Sequence, residues 1–499
     1  MATTVRRLPD ALKVRAEHQG DEVAHDDTRR VLTFAQWDQE ADEVAGGLAA
    51  AGLKPGDRLF LPISNANAVE MMIAVIAGLR AGAIVCPVNP RLTPGEMKEY
   101  AQLVEPTLCL TNVAERLEGA AVGRVMDVMA MPRDLSALPD QAQLDPSADA
   151  YILQTSGTTG GKLKGVVISH PDLLGQTDGI SRDASRSMGH ALPMTGSGGA
   201  IAAGLLPIRT GATTYTLPRF DPAAFMALTQ AKKPDTIFLV PAMLRLILDL
   251  PNVADYDISG ATWMITGSAP LPHDSVTRAV ELWPHIRIRN SYAMSEGGAQ
   301  LTTRHKAAVL KPGCVGQMAP HLELRDENGA PTPQGVIGEV WGRQRNPRRY
   351  WRDEAATKAA FVDGWTRSGD LGYVDKDGDL ILCGRSKELI IRGGYNIIPL
   401  EIETALYEHP AVKDAAVLGV DHPVLGEDVA AAVTLQHGQQ ATAEALQAWC
   451  KERLADNKVP RAIVILDELP INPNGKILKR ELKPVLQAAA DERRARSAT

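Results

Sequence analysis

Apolar positions along the chain alternate between two periods, and this alternation predicts the architecture. From about residue 30 to residue 300, short strand-like apolar runs alternate with stretches of helical spacing. Residues 236–240 precede a helix that carries Met243, and residues 262–265 precede a helix near 275–282. Alternation of this kind predicts an α/β fold with layered, parallel sheets. The functional loops of such folds collect at the carboxyl ends of the strands.

The longest apolar run covers residues 69–88 and is interrupted by Glu70 and Arg80. A membrane-spanning helix needs about 20 consecutive, predominantly apolar residues. The run therefore predicts a buried helix followed by a strand over residues 84–88.

The pattern changes between about residues 312 and 384, where strand-like runs are short and turns are frequent. Asn328-Gly329 and Asp377-Gly378 are turn signals of the hairpin kind. This stretch predicts a small β-barrel or another β-rich subdomain. After Gly384 the pattern predicts a compact α+β unit, and the last dozen residues are expected to form a solvated, frayed tail.

Composition restricts the class of protein. The chain has 499 residues, of which 44% are hydrophobic and 23% charged, as in ordinary soluble proteins. A net charge of −7 without a long basic block argues against nucleic acid as a partner. Five scattered cysteines argue against a disulfide framework or a thiolate zinc site and indicate a reducing, cytoplasmic location. No secretory signal is expected at residues 1–17, and no membrane attachment.

Residues 155–165 carry the strongest chemical signal, with four hydroxyls, four glycines and two lysines in eleven positions. Glycines let the backbone aim several N–H groups inward, hydroxyls donate further hydrogen bonds, and a lysine adds a point charge. This chemistry suits the phosphates of a nucleotide, although an ordinary small-residue turn is the alternative. A Walker-type loop is excluded, because only three residues separate Gly157 from Gly161 and Leu163 follows Lys162.

Five segments in order resemble the motifs of the adenylate-forming superfamily, which comprises acyl-CoA and aryl-CoA synthetases, peptide-synthetase adenylation domains and luciferases. They are residues 155–165, 290–296, 364–370, 384–403 and 470–476. The resemblance implies an ATP- and acid-binding N-terminal domain, residues 1–386, and a mobile C-terminal domain, residues 387–499. It also implies ATP, Mg²⁺ and CoA as cofactors and a small-molecule carboxylic acid as substrate.

The resemblance implies a role for each polar motif residue around ATP. Glu296 would be the Mg²⁺ ligand and Ser295 a donor to the α-phosphate. Asp370 would bind the ribose, and Arg385 would reach the same ribose or the phosphates; a structural salt bridge is the alternative for both. Ser156, Thr158 and Thr159 would hold the leaving pyrophosphate. Thr155, Gly157, Gly160 and Lys164 would bind ATP beside them, with Lys162 competing for the lysine role. The adenine would lie among Gly267, Ser268, Ala269, Asn290 and Tyr292.

The C-terminal motifs are implied to serve two half-reactions. Lys476 would be the catalytic lysine that stabilises charge between the carboxylate and the α-phosphate. Lys387 would be the hinge, and Gly393, Gly394 and Tyr395 would line the tunnel for the thiol. Rotation about the hinge would withdraw the lysine and admit the pantetheine arm.

The acid pocket departs from the family pattern at residues 193–199, where a bulky ring is usual and Gly196 stands. The segment lacks the aspartate that holds an amino-acid ammonium. Together with its apolar neighbours it predicts a bulky, largely apolar acid, unless neighbouring side chains fill the space. The predicted pocket residues are Met194, Gly196, Gly198, Met243, Ala293 and Met294.

The function that follows is an AMP-forming acid–CoA ligase. A stand-alone enzyme that loads the phosphopantetheine of a carrier protein is the first alternative, since both acceptors present the same arm. A luciferase-like oxygenase and a non-catalytic nucleotide-binding homologue are the others, and a homodimer is allowed.

Overall fold

The computed structural model describes residues 5–156, 163–175, 187–298, 300–303, 311–470 and 477–498. The chain forms two compact units, the larger from Met1–Leu322 and Trp341–Ser368, the smaller from Glu323–Val340 and Gly369–Thr499. The predicted domain boundary between residues 386 and 387 stays a prediction.

The α-helices are α1 (Leu8–Gln19), α2 (Phe34–Ala50), α3 (Ala68–Arg80), α4 (Pro94–Val104), α5 (His170–Gly175), α6 (Leu206–Thr210), α7 (Pro222–Lys232), α8 (Pro241–Leu248), α9 (His273–Leu282), α10 (Glu354–Ala360), α11 (Pro399–Tyr407), α12 (Ala443–Arg453) and α13 (Lys479–Ala498), and a π-helix covers Ser197–Ala203.

The strands of the first half are β1 (Val23–Asp26), β2 (Val31–Thr33), β3 (Arg58–Leu61), β4 (Ile84–Pro87), β5 (Leu108–Thr111), β6 (Arg124–Asp127), β7 (Asp149–Ser156), β8 (Leu163–Ser169), β9 (Ser187–His190), β10 (Thr213–Thr216), β11 (Thr236–Leu239), β12 (Trp263–Gly267), β13 (Arg287–Ala293) and β14 (Gln300–Thr302).

The remaining strands are β15 (Cys314–Gln317), β16 (Leu322–Arg325), β17 (Gly338–Arg343), β18 (Arg349–Tyr350), β19 (Phe361–Val362), β20 (Trp365–Val374), β21 (Asp379–Arg385), β22 (Ile390–Arg392), β23 (Tyr395–Ile397), β24 (Val412–His422), β25 (Gly426–Leu435) and β26 (Ala462–Ile465). The strand-rich stretch from β15 to β21 matches the change of pattern in the sequence.

Two mostly parallel sheets organise the larger unit, as the alternating pattern predicts. In the described residues one sheet has the order β14-β13-β12-β11-β9-β10-β1-β2 and the other the order β18-β8-β7-β4-β3-β5-β6. The interior pairs of the first sheet, from β13 to β1, are parallel, and its edge strands β14 and β2 are antiparallel. The second sheet is parallel from β7 to β6, while β8 and β18 are antiparallel.

Helix α3 lies in the main core of the larger unit, and all thirteen of its residues are buried. This confirms the predicted buried helix, and β4 confirms the strand that follows. The two charged positions are paired: Glu70 contacts Arg29 and Arg30, and Arg80 contacts Asp38 and Asp42. Burial raises the pKa of Glu70, but the hydrogen bond and charge of Arg29 outweigh it and hold that pKa below its usual value.

The smaller unit contains a mixed sheet of order β23-β22-β25-β24, with β26 parallel to β25. Its longest pair, β24 with β25, is antiparallel over almost the whole of both strands. The mixture of helices and strands predicted after Gly384 is therefore confirmed. The predicted frayed tail is wrong, because α13 extends to Ala498. Leu482, Leu486 and Ala490 lie four residues apart and are buried on one face of that helix.

Two fully buried tyrosines in the larger unit allow a matched test of hydrogen bonding. The Tyr100 hydroxyl donates to the Ile152 carbonyl at 3.1 Å, whereas the Tyr151 hydroxyl finds no partner among the described residues. We expect Tyr100→Phe to lower the free energy of unfolding by about 1 kcal/mol and Tyr151→Phe not to lower it. Chemical unfolding of the two variants measures the difference, and equal losses would contradict the assignment.

Candidate active site

The predicted phosphate loop connects two antiparallel strands of the larger unit. In the β7–β8 pair, Thr155 lies opposite Lys164 and Ser156 lies opposite Leu163. The loop thus begins at the carboxyl end of β7, a strand that runs parallel to β4. Gly157, Thr158, Thr159, Gly160 and the competing Lys162 lie outside the described residues.

Lys164 and Glu296 lie 132 positions apart in the sequence, and both contact Tyr350. The Lys164 ammonium lies 4.6 Å from the centre of the Tyr350 ring, and the Tyr350 hydroxyl donates to Glu296 Oε1 at 2.9 Å. Strand β18 places the tyrosine, because Tyr350 pairs with Val166 on the strand that carries Lys164. Burial, together with the neighbouring charge of Glu296, raises the pKa of Tyr350 well above its usual value. The hydroxyl therefore stays a donor.

The segment before Tyr350 also holds the Ser295-Glu296 backbone. Arg348 is buried, forms an ion pair with Asp172 and donates from Nη1 to the Ser295 carbonyl at 2.6 Å. The Gln344 side chain donates to the Glu296 carbonyl at 3.3 Å. Sequence reasoning missed these supporting residues, because isolated polar positions in a strand-rich stretch carry no recognisable motif.

Glycines after Glu296 allow this close packing. Gly297 and Gly298 have φ values of +75° and +80°. A Cβ on Gly298 would lie 2.6 Å from the Gly342 carbonyl oxygen, and one on Gly297 would lie 2.9 Å from the Arg348 guanidinium. Both the conformation and the space therefore require glycine here.

The predicted adenine residues follow two adjacent parallel strands. Gly267, the last residue of β12, pairs with Ser291 on β13, and a Cβ on Gly267 would lie 2.5 Å from the Ser291 carbonyl oxygen. Ser268 is exposed with φ +72°, and Ala269 follows it half-buried. Gly267, Ser268 and Ala269 therefore lie at the end of β12, beside strand β13 of the 290–296 motif.

Asn290 and Tyr292 lie on β13 itself. Asn290 is buried, and its side-chain amide donates to the Cys314 carbonyl at 2.8 Å, so part of its hydrogen-bonding capacity is used within the protein. Tyr292 is half-buried and pairs with Leu301. Their contacts to adenine remain predictions.

The predicted acid-pocket residues have different environments. Met194 is 1% exposed and packs in the main core, whereas Met243 is half-buried against a second core around α7 to α9. Gly196 is exposed, and a Cβ placed on it would meet no described atom within 4 Å. A Cβ on Gly198 would lie 3.7 Å from the Leu192 side chain.

Of the last two predicted pocket residues, Ala293 ends β13 and Met294 follows it. Ala293 is exposed and Met294 half-buried. Ala293 pairs with Gln300, and Gln300 lines a cleft of about 390 Å³ between β14 and residues 317–321. None of the six predicted residues lines that cleft itself, so their grouping into one pocket stays a prediction.

Within the smaller unit, Asp370 and Arg385 are cross-strand partners on β20 and β21. The Arg385 Nε donates to Asp370 Oδ1 at 2.8 Å, and Asp370 is buried. The structure therefore contains the salt bridge that the sequence offered as the alternative to ribose binding. The two roles are compatible, since a carboxylate can accept from the arginine and from hydroxyls at once.

The predicted hinge and thiol-tunnel residues lie in two turns of the smaller unit. Lys387 is exposed in the short 3₁₀ turn Ser386–Glu388. Gly393 and Gly394, with φ values of +57° and +87°, connect β22 to β23, and Tyr395 after them is 64% exposed. Two residues of positive φ are typical of a tight hairpin turn. Lys476 lies outside the described residues.

A half-buried lysine joins two motif regions of the smaller unit. Lys479 Nζ lies 2.9 Å from Glu388 Oε2 and 2.8 Å from Glu403 Oε1. Burial lowers the pKa of Lys479, but the charges of Glu403 and Glu388 outweigh it and raise that pKa. Lys479 follows the predicted catalytic lysine by three positions, and Glu388 adjoins the predicted hinge. Sequence reasoning missed this cluster.

Comparison with known proteins decides the family. Residues 12–351 match the model of the AMP-binding enzymes, and residues 401–476 match that of the AMP-binding enzyme C-terminal domain. The chain belongs to the AMP-binding enzymes, the adenylate-forming superfamily. This confirms the resemblance that the motifs indicated.

Two curated relatives are CoA ligases, and the match to each covers nearly the whole of both chains. Feruloyl-CoA synthase of an Amycolatopsis species is 32% identical over 91% of this chain and 93% of its own. The 2-succinylbenzoate–CoA ligase of Bacillus cytotoxicus is 31% identical over 96% of this chain and 99% of its own. The structure of o-succinylbenzoate CoA synthetase from Bacillus subtilis with its acyl-adenylate intermediate superimposes with a TM-score of 0.81, at 26% identity over 95% of this chain and 97% of the other.

As a member of the AMP-binding enzymes with CoA ligases as relatives, this chain is an AMP-forming acid–thiol ligase. Its substrates and cofactors are a small-molecule acid, ATP, Mg²⁺ and CoA. The described residues contain no group of three or more His, Cys, Asp and Glu that could hold a metal ion. A single carboxylate such as Glu296 nevertheless fits Mg²⁺, which binds proteins through one or two carboxylates and takes its other ligands from phosphates and water. Across the part of the chain that is described, no helix is long and apolar enough to cross a bilayer.

The strained turn after β12 generates a prediction. A left-handed conformation costs an L-residue about 1–2 kcal/mol, and Ser268 adopts it at φ +72°. We expect Ser268→Gly to raise the free energy of unfolding by about 1 kcal/mol. Thermal or chemical unfolding measures it. Ala51→Gly, at an ordinary φ of −75°, is the control and should be destabilised; destabilisation of both variants would contradict the strain.

Proposed function

We propose that this enzyme activates a bulky, largely apolar carboxylic acid as its acyl adenylate and transfers the acyl group to CoA. One observation supports the roles proposed for its residues. Lys164 and the Glu296 carboxylate both contact Tyr350 in the larger unit, and Thr155 lies opposite Lys164 on the paired strand. A cation, a hydroxyl and a hard oxygen ligand in one place suit the triphosphate of ATP.

In the first half-reaction a substrate carboxylate oxygen attacks the α-phosphorus and the bond to pyrophosphate breaks. Negative groups must be held in line, so catalysis depends on positioning and electrostatic stabilisation. Thr155, Ser156 and Lys164 would bind the leaving pyrophosphate, and Ser295 would donate to the α-phosphate. Glu296 would hold Mg²⁺, which neutralises phosphate charge when bound. Lys476 would stabilise the charge that develops between the reacting groups.

In the second half-reaction the CoA sulfur attacks the acyl carbon, and AMP leaves with the former carboxylate oxygen. Asp370 would bind the ribose of the nucleotide, with Arg385 orienting its carboxylate from the facing strand. The exposed turn at Gly393 and Gly394 presents little side-chain bulk, which suits passage of a pantetheine arm. Lys387 would be the pivot between the two half-reactions.

The class of acid is proposed from the relatives and from one position of the pocket segment. The relatives are named for feruloyl and 2-succinylbenzoate groups, both of which are aryl acids, and these names support a bulky acid here. The open space at Gly196 supports the same conclusion. A carrier protein is the second candidate acceptor, because its phosphopantetheine presents the same thiol arm. The proposal also includes a cytoplasmic location, from the cysteine content, and a homodimer.

The substrate proposal is tested by ATP–pyrophosphate exchange over short, medium-chain, aryl and polycyclic acids, with and without CoA. We expect acid-dependent exchange and an acyl-CoA product, with kcat/KM at least about tenfold higher for the best bulky acid than for acetate or propionate. A preference for acetate or propionate would contradict the bulky pocket. Exchange without a CoA product would favour a carrier protein, and absence of exchange with every acid would overturn the proposal.

The proposed catalytic lysine is tested by Lys476→Ala. We expect acid-dependent exchange to fall by about 10²–10³-fold, because one charge-stabilising group is lost, while ATP binding by calorimetry changes little. The control is Lys451→Ala, which removes an exposed lysine of α12. Unchanged exchange in Lys476→Ala would contradict the role. Light emission or oxygen uptake by the unaltered enzyme after adenylation would indicate an oxygenase.

A further inference from the structure

Tyr350 contacts both charged groups that the reaction needs beside the phosphates. Its hydroxyl donates to Glu296 Oε1 at 2.9 Å, and its ring lies 4.6 Å from the Lys164 ammonium. We infer that Tyr350 is a positioning residue for MgATP, which fixes the Glu296 carboxylate and the Lys164 ammonium relative to each other. The inference rests on the proposed roles of those two residues.

The tyrosine is itself held firmly enough to position other groups. It is 9% exposed, and its ring packs against Phe361 at 5.6 Å between ring centres. Its backbone pairs with Val166, and its N–H donates to the Thr357 hydroxyl at 3.0 Å. A side chain fixed on both ring and backbone loses little further freedom when it orders a neighbour.

The hydroxyl acts on one oxygen of Glu296 only. A carboxylate has two oxygens with several acceptor positions, so the hydrogen bond to Oε1 restricts the rotation of the group and leaves acceptor capacity for a cation. Partners that orient a metal-binding carboxylate typically affect metal affinity by about 10–100-fold. The Tyr350 hydroxyl has this relation to Glu296.

The ring acts on Lys164 separately from the hydroxyl. A cation over an aromatic face is attracted by the ring quadrupole, and the attraction persists when the hydroxyl is removed. Tyr350→Phe and Tyr350→Leu therefore separate the two contacts. The first keeps the ring beneath Lys164 and against Phe361 but loses the hydrogen bond to Glu296. The second loses both contacts.

The first measurement is nucleotide binding by calorimetry, once with ATP in excess Mg²⁺ and once with ATP in the presence of a chelator. The second is the Mg²⁺ concentration that gives half-maximal ATP–pyrophosphate exchange. We expect Tyr350→Phe to weaken MgATP binding and raise that Mg²⁺ concentration about tenfold, while metal-free ATP binds as in the parent. Tyr350→Leu should in addition weaken metal-free ATP, because Lys164 loses its support. Tyr151→Phe, which removes a buried hydroxyl without a described partner, is the matched control and should change neither.

A double-mutant cycle with Glu296→Gln decides whether Tyr350 acts through Glu296. In the Glu296→Gln background, Tyr350→Phe should produce no further change in MgATP binding. Equal weakening of MgATP and metal-free ATP by Tyr350→Phe, or full additivity in the cycle, would overturn the inference. If Glu296→Gln alone leaves the Mg²⁺ dependence unchanged, the proposed metal role of Glu296 fails instead.

Discussion

Complete burial of helix α3 is the constraint on which the larger unit depends. Thirteen consecutive residues lie inside the main core, with strands β3 and β4 close to one face. Burying a Val, Leu, Ile or Met side chain stabilises a fold by about 1.5–3 kcal/mol each, so this helix contributes a large share of the apolar driving force. Glu70 and Arg80 remain compatible with it only because each is paired with two opposite charges.

A core built in this way presents its polar residues at the ends of strands. Thr155 and Ser156 end β7, Gly267 ends β12, and Ser295 and Glu296 lie two and three residues after the end of β13. The enzyme adds a second support at one of these ends, since residues 344–350 bind the Ser295 and Glu296 carbonyls and the Glu296 side chain. The smaller unit has a comparable arrangement, in which Lys479 contacts Glu388, the last residue of the turn that carries the predicted hinge Lys387.

Much of the fold and of the site can be predicted because the signals are local. The apolar periods place α3, β4, β11, β12 and α9, and the order of the five motifs is sufficient to indicate the family. The frayed tail expected over the last dozen residues is wrong, because packing along one helical face outweighs the tendency of chain ends to fray. The stripe of Leu482, Leu486 and Ala490 stabilises α13 by burying one helical face.

Contacts between distant segments cannot be predicted in the same way. Nothing near Tyr350 in the sequence indicates Lys164 or Glu296, and the link arises only because β18 pairs with β8. The motif predicts that Asn290 faces a ligand, yet its amide is partly used by Cys314, 24 positions further along the chain. Hydrogen bonds of this kind depend on strand order, which composition and spacing do not specify.

The central claim is that the acid carboxylate attacks the α-phosphorus of ATP. The most direct measurement uses an accepted acid labelled with heavy oxygen in its carboxylate and analyses AMP and pyrophosphate by mass spectrometry after turnover with CoA. The account predicts one heavy oxygen in AMP and none in pyrophosphate, because the carboxylate oxygen leaves with AMP. Heavy oxygen in pyrophosphate or in inorganic phosphate, with unlabelled AMP, would contradict it.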